Sequence, residues 1–432
     1  MDAPKGPARR RSILLLAVLT LLATGRARPV IGQAITEFLI PSGAQPVEIT
    51  PGPGGMWFTE SGHLGLIGLG GRISEFPVQV DPRSIVAGPD GNLWFTSQSS
   101  VSRMTTEGVV TRFISNPMHI GSSDGWPAFI VAGENGLLFT DADIEGGLIC
   151  RVTVDGAISR RYILTANASD PARIARGPNG DTWFATLGKH GDAVIGHGGG
   201  WSRLFTLPGV QDVGGIVAGT DGNIWFTETN VHRVGRITDS GVITEFNVSG
   251  DPRGIAAGPD GNLWFTETES NMIGRISTAG ELVEYSIPTQ DAGPRGIAAG
   301  SDGNIWFTEA NRSQIGKIWL VNANDLSLAG GRYHAAATWQ SSTASGEAHP
   351  VSLTSETGYF WFSDPANVEL VVKILDGCTI NDRLWVFVAG LTNVNVILTV
   401  TDTWTLQSRT YTNPQGTAFL PIQDTGAFST CP

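Results

Sequence analysis

One phrase returns seven times along this chain, clearest as RGIAAGPDGNLWFTETESNMIGRISTAGELVEYSIP from Arg253 to Pro288. Its anchor stands at Trp57, Trp94, Leu138, Trp183, Trp225, Trp264 and Trp306, with gaps of 37, 44, 45, 42, 39 and 42 residues. A period of this length, divided into short strands, belongs to propeller blades rather than solenoid turns. It also overrides the two to four domains that 432 residues would otherwise suggest.

Each copy reads as four strands. GIAAG runs into an Asp-Gly-Asn turn at Asp90, Asp221, Asp260 and Asp302, where the glycine supplies the positive φ of a tight hairpin. LWFT or IWFT follows, with an aromatic pair suited to packing between blades. IGRI comes third, its glycine allowing close backbone approach, and ITEF or VEYSI alternates as an exposed outer strand should. Copy seven has no fourth strand after Gln314 to Ile318, whereas Ile35 to Phe38 precedes copy one without a blade of its own. The expected fold is therefore all-β, a seven-bladed β-propeller over residues 35–320 closed by its N-terminal strand, which leaves no open sheet edge at the join.

From about Val321 the repeat gives way to other strands: Arg332 to Gln340, Gly358 to Ser363, Val368 to Leu375, Leu384 to Val388, Val394 to Asp402, and Thr410 to Tyr411. They predict a small C-terminal β-sandwich-like domain over residues 321–432. Its run Tyr359, Phe360, Trp361 and Phe362 reads either as core packing or as a stacking platform for carbohydrate. Of the three cysteines, Cys378 and Cys431 are expected to form a disulfide, and Cys150, in the strand Leu148-Ile149-Cys150, a buried thiol.

Residues 1–34 have a basic start (Lys5, Arg9 to Arg11), an apolar run from Ile13 to Ala23 and small residues suited to cleavage at Gly25/Ala27 or Gly32/Ala34. This pattern predicts a signal peptide and a secreted, periplasmic or cell-surface monomer with no transmembrane segment after removal. An oxidising destination suits the disulfide. The net charge of −12 argues against nucleic acid, which demands a basic face.

Chemistry is expected where strand one begins and strand two ends, because up-and-down strands bring these points to one rim. Arg83, Arg253 and Arg295 open strand one in their blades, and Glu60, Glu228, Glu267 and Glu309 end strand two. Two readings stay open: a charged rim for a polar ligand or divalent cation, or a ring of Arg–Glu pairs that staples blades together. His63, His190 and His232 follow strand two on the same face, and His119, His197, His334 and His349 lie elsewhere, none with metal-ligand spacing. No GxSxG, Walker or paired-cysteine zinc motif occurs.

The phrases GPDGNLWFTE, IGRIT or IGRIS, GVITEF and PRGIAAG resemble the streptogramin B lyase family, also called virginiamycin B lyases, over about Ile35 to Leu320. The resemblance implies a seven-bladed propeller that opens cyclic depsipeptide antibiotics by elimination at an ester C–O bond, with Mg2+. That reaction needs a base for the proton α to a carbonyl and a cation or donors for the enolate charge. In the family the base is a histidine of a Glu-Pro-His-Gly phrase, with another histidine one blade earlier. Here the phrases read Gly293-Pro294-Arg295-Gly296 and Asp251-Pro252-Arg253-Gly254. Of the two family magnesium carboxylates, Gly293 replaces one and Glu309 retains the other. Arginine stabilises negative charge but stays protonated, so it is no base. The sequence thus points to a lyase-like propeller binding a small molecule or partner at the rim without elimination. The alternative is a magnesium-dependent C–O lyase or other ester-cleaving enzyme using His232 or His63, with Glu309 and Arg295 holding the anion.

Overall fold

The computed structural model describes residues 35–429 apart from 69–70, 99, 115–126, 134–135, 142–147, 164–167, 189–190, 199–202, 321–324, 330–331 and 403–406. The expected signal segment, His119, His190 and Cys431 lie outside the described residues. The chain is all-β in its main elements, with seven four-stranded antiparallel sheets followed by two five-stranded sheets. Among the described residues no helix is long and apolar enough to cross a membrane.

Six sheets are built from consecutive strands, such as Pro46–Gly52, Gly55–Glu60, His63–Ile67 and Ile73–Pro77 in blade one. The seventh contains Pro294–Ala299, Ile305–Glu309 and Gln314–Ile318, and takes its outer strand from the other end of the chain. Ile35–Leu39 pairs antiparallel with that last strand, Ile35 opposite Ile318 and Leu39 opposite Gln314. The join anticipated from the missing ITEF strand is formed.

The aromatic pair of strand two works in opposite directions. The tryptophan packs with the phenylalanine of the following blade: Trp57 with Phe95, Trp94 with Phe139, Trp225 with Phe265, Trp264 with Phe307, and finally Trp306 with Phe58. The last contact joins blade seven to blade one, so an apolar core runs through the seam where the chain closes. The IGRI glycine has a different reason from the one its sequence suggested. A Cβ at Gly65, Gly235, Gly274 or Gly316 would lie 2.0–2.3 Å from the phenylalanine ring of strand two, so the glycine makes room for a ring rather than for backbone.

The turn aspartate also does more than shape a hairpin. Asp90, Asp221, Asp260 and Asp302 each accept the indole N–H of the tryptophan four residues on, at 3.0–3.1 Å, which satisfies a donor that burial would otherwise strand. Opposite the tryptophan, strand three places a cation that pairs with the same aspartate: Arg103, Arg236, Arg275 and Lys317. Lys317 is fully buried, 2.8 Å from Asp302, with its ammonium over the rings of Trp306 and Trp319. Burial pulls it down to about 8 despite Asp302.

In the C-terminal part, Asp325–Leu328, Tyr333–Gln340, Ser345–Glu347, Asn395–Asp402 and Ser408–Asn413 form one sheet. His349–Ser352, Thr357–Trp361, Leu370–Asp376, Leu384–Gly390 and Ile422–Phe428 form the other. A single core draws Leu326, Tyr333 and Leu398 from the first and Phe360, Leu370 and Val386 from the second. Four of these strands, at 325, 345, 349 and 422, were not anticipated from sequence, because short polar segments carry little alternation. The aromatic run divides: Phe360 and Phe362 join the core, while Tyr359 and Trp361 are half-buried. Cys378 is disulfide-bonded, and Cys150 is buried in the core between blades two and three.

Candidate functional site at the channel mouth

The first strands of neighbouring blades pack against each other around the axis. Most carry a register shift just after they begin, between Pro46 and Ile49, Pro127 and Ile130, Val213 and Ile216, Pro252 and Ile255, and Pro294 and Ile297. A bulge of this kind bends a strand and frees backbone groups from the ladder. The threonine of WFT satisfies them. Thr308 accepts the Gly296 N–H at 2.8 Å and donates to the Val47 carbonyl of blade one at 2.9 Å. Thr266 does the same between Gly254 and Arg295, and Thr59 between Glu48 and Arg83. The bulge residues, Arg253 and Arg295 among them, are thereby fixed by side chains of the same and the preceding blade.

An ion pair joins opposite sides of the ring. Arg173 of blade four lies 3.4 Å from Glu48 of blade one, and the two blades stand three steps apart in a ring of seven. The Arg173 guanidinium also lies 3.9 Å over the ring of Phe129. Burial pushes the Glu48 carboxyl above its ordinary value, with Arg173 opposing the shift, and burial likewise lowers Arg173. Arg253 is close enough to act on Arg173 by charge repulsion, and Asp212 by attraction, so these groups share one space.

Arg253 is exposed and held by Asp251 at 3.0 Å. Burial raises Asp251, and Arg253 opposes that rise. Arg295 is exposed, and among the described residues its side chain has no hydrogen-bond or ion-pair partner. Arg83 is half-buried. His232 sits in the left-handed region at φ 55°, with Nε2 3.6 Å from Glu269. His63 contacts the Ser61 carbonyl through Nδ1 at 3.2 Å.

The four glutamates ending strand two do not join this group. Glu60, Glu228, Glu267 and Glu309 are all 0–1% exposed. Each faces, across the strand-three glycine, a glutamate of the outer strand: Glu75, Glu245, Glu284 and Glu37. Burial, reinforced by that second carboxyl, pushes Glu60 and Glu309 up to about 8 and Glu228 and Glu267 up to about 7. Among the described residues, neither oxygen of Glu309 has a hydrogen-bond partner. Glu228 has Arg233 at 3.0 Å, and Glu267 accepts from Ser270 at 3.0 Å. The Arg–Glu ring anticipated at the rim is therefore not formed. Alternation along strand two turns Phe58 and Glu60 to the same side, so the glutamate follows the buried ring into the blade.

These residues do not fit magnesium. The ion favours octahedral oxygen ligands and keeps several waters, yet Glu309 is closed off from solvent, and the same buried carboxyl arrangement recurs in three other blades. At Gly293, where the resemblance would place the first carboxylate, φ is +63°, and a Cβ there would lie 2.5 Å from the Asn311 side chain. A different cluster, Asp181, His197 and Asp239, brings three metal-capable groups together. Its pattern is that of the other blades, with His197 taking the cation's place between the turn aspartate and the next blade, stacked on Trp183 at 4.1 Å.

Sequence reasoning missed Glu48, Arg173 and Asp251. The first two stand one residue further along strand one than Arg253 and Arg295 do, counted from the proline that opens the strand.

Residues 20–208 and 159–340 match the Virginiamycin B lyase family. The virginiamycin B lyase of Nocardia farcinica is 30% identical over 173 residues, 39% of this chain, which spans 58% of that relative's length. A catalytically inactive histidine-to-alanine variant of virginiamycin B lyase from Staphylococcus aureus, solved with quinupristin, is 31% identical. It superposes over 67% of this chain and 100% of its own, with a TM-score of 0.59. A streptogramin B lyase structure is 30% identical over 67% of this chain and 98% of its own, with a TM-score of 0.60.

Proposed function

The chain belongs to the virginiamycin B lyase family, and from that premise we propose that it is a secreted, lyase-like propeller that binds a small polar ligand at the channel mouth without carrying out elimination. The observation that carries this reading is the character of the mouth. Arg253 and Arg295 stand where the family phrase holds histidine, and both are exposed. A guanidinium is protonated at any ordinary pH, so these residues hold negative charge and polar acceptors but take up no proton from carbon. Secretion rests on the charge and hydropathy pattern of residues 1–34.

The alternative, an ester-cleaving enzyme with His232 or His63 as base, requires Glu309 beside the ligand. Glu309 lies inside blade seven against Glu37, which disfavours it. The test is incubation of the purified mature protein with quinupristin and Mg2+, followed by mass spectrometry and chromatography. The ring-closed compound is expected to persist. A linear product isomeric with it would overturn the proposal in favour of the lyase, and a product heavier by one water in favour of a hydrolase.

A further inference from the structure

The charges around the mouth are matched unevenly. Glu48 balances Arg173 at 3.4 Å and Asp251 balances Arg253 at 3.0 Å. Arg295 has no such partner among the described residues, although it occupies the same bulge as Arg253 in the adjoining blade. The blade that carries it has Gly293 where an acidic side chain would meet it, and Asn311 fills the space a Cβ would need. The remaining carboxyl of that blade end, Glu309, is turned inward. Arg173, already paired with Glu48 and lying over the Phe129 ring, is committed to partners of its own.

We propose, building on the polar-ligand reading above, that these two arginines form a receptor for a small anion, a carboxylate or phosphate group seated on the Arg295 guanidinium with Arg253 as the second donor. A planar guanidinium presents paired N–H groups matched to two oxygens of either anion, a geometry that a lysine ammonium does not offer. The backbone under both arginines is fixed: the Arg295 and Arg253 carbonyls accept from Thr266 at 2.8 Å and Thr227 at 2.6 Å, so the donors start from a set position. Asp251 limits Arg253 to the secondary role, since an incoming anion shares that guanidinium with a carboxylate already in place.

Isothermal titration with inorganic phosphate and, separately, with succinate tests this on the full mature chain. The panel is the unchanged protein, Arg295→Ala, Arg295→Lys and Arg173→Lys, with thermal melts to show that each variant folds. At least one anion is expected to bind. Arg295→Ala should weaken it about tenfold or more, Arg295→Lys less, and higher salt should weaken it further. The arm that binds identifies the group recognised. Two outcomes overturn the inference: neither anion binds at millimolar concentration, or binding is the same in Arg295→Ala. A neutral tetrasaccharide and a neutral acetylated, amidated dipeptide are titrated in parallel. Binding of either with sensitivity to Arg295→Ala, and none of the anions, sinks the anion receptor while leaving the polar-ligand reading intact.

Discussion

Glu309, which ends the second strand of blade seven, faces Glu37, which arrives 272 residues earlier in the chain on the strand that closes the ring. Burial of Glu309, reinforced by the neighbouring Glu37 carboxyl, disfavours its charged form and pushes it up to about 8. The same arrangement in blades one, five and six makes this a property of the repeat.

Stability should consequently fall with rising pH. Each inner glutamate binds its proton more tightly in the native chain than at its ordinary value of 4.5. The native state thus holds protons that the unfolded chain releases, and the advantage is lost between about pH 4.5 and pH 8. Glu309→Gln should raise the melting temperature at pH 9 relative to the unchanged protein and leave it little altered at pH 5. An equal shift at both values would show that Glu309 does not titrate in this range.

The threonine between blades should matter most at the closing seam. Thr308→Val removes the acceptor for Gly296 and the donor for Val47, leaving two backbone groups unpaired, at a cost of about 1–3 kcal/mol. Urea unfolding measures this.

Lys317 is buried between two tryptophans with Asp302 as its counter-charge. Lys317→Met strands that carboxylate and should destabilise by about 3–5 kcal/mol. Adding Asp302→Asn should recover part of the loss, and a double variant no better than the single one would show that the charge pair is not the reason.

Cys378 is disulfide-bonded, so Cys378→Ser should lower the stability of the C-terminal sheets by about 2–4 kcal/mol. Dithiothreitol should do the same to the unchanged protein and little to the variant. Thermal unfolding with and without reductant makes the comparison.

Arg295→His alone should not confer elimination. Arg295→His still faces Gly293, whose left-handed backbone and contact with Asn311 exclude a carboxylate, and a Glu309 turned into the blade. Ring opening of quinupristin by that single variant would mean that Glu309 reaches the mouth in solution.

How much of this was legible in advance follows from the range of the interactions concerned. The seven blades, their turns and the closing strand were readable because each depends on neighbours within one repeat, and because Ile35 to Phe38 matched a gap that copy seven left open. That Arg253 and Arg295 stand at the start of strand one in their blades was readable for the same reason. The partner of Glu309 was not: placing it needs the alternation of strand two, the missing side chain at Gly316 and a strand from the opposite end of the chain at once. Nor was the Arg173–Glu48 pair, since residues 125 apart meet only after the ring has curved through three blades. Local hydrogen-bonding and periodicity wrote the blade into the sequence, while closure of the ring decided which charges are buried together and which one faces out alone.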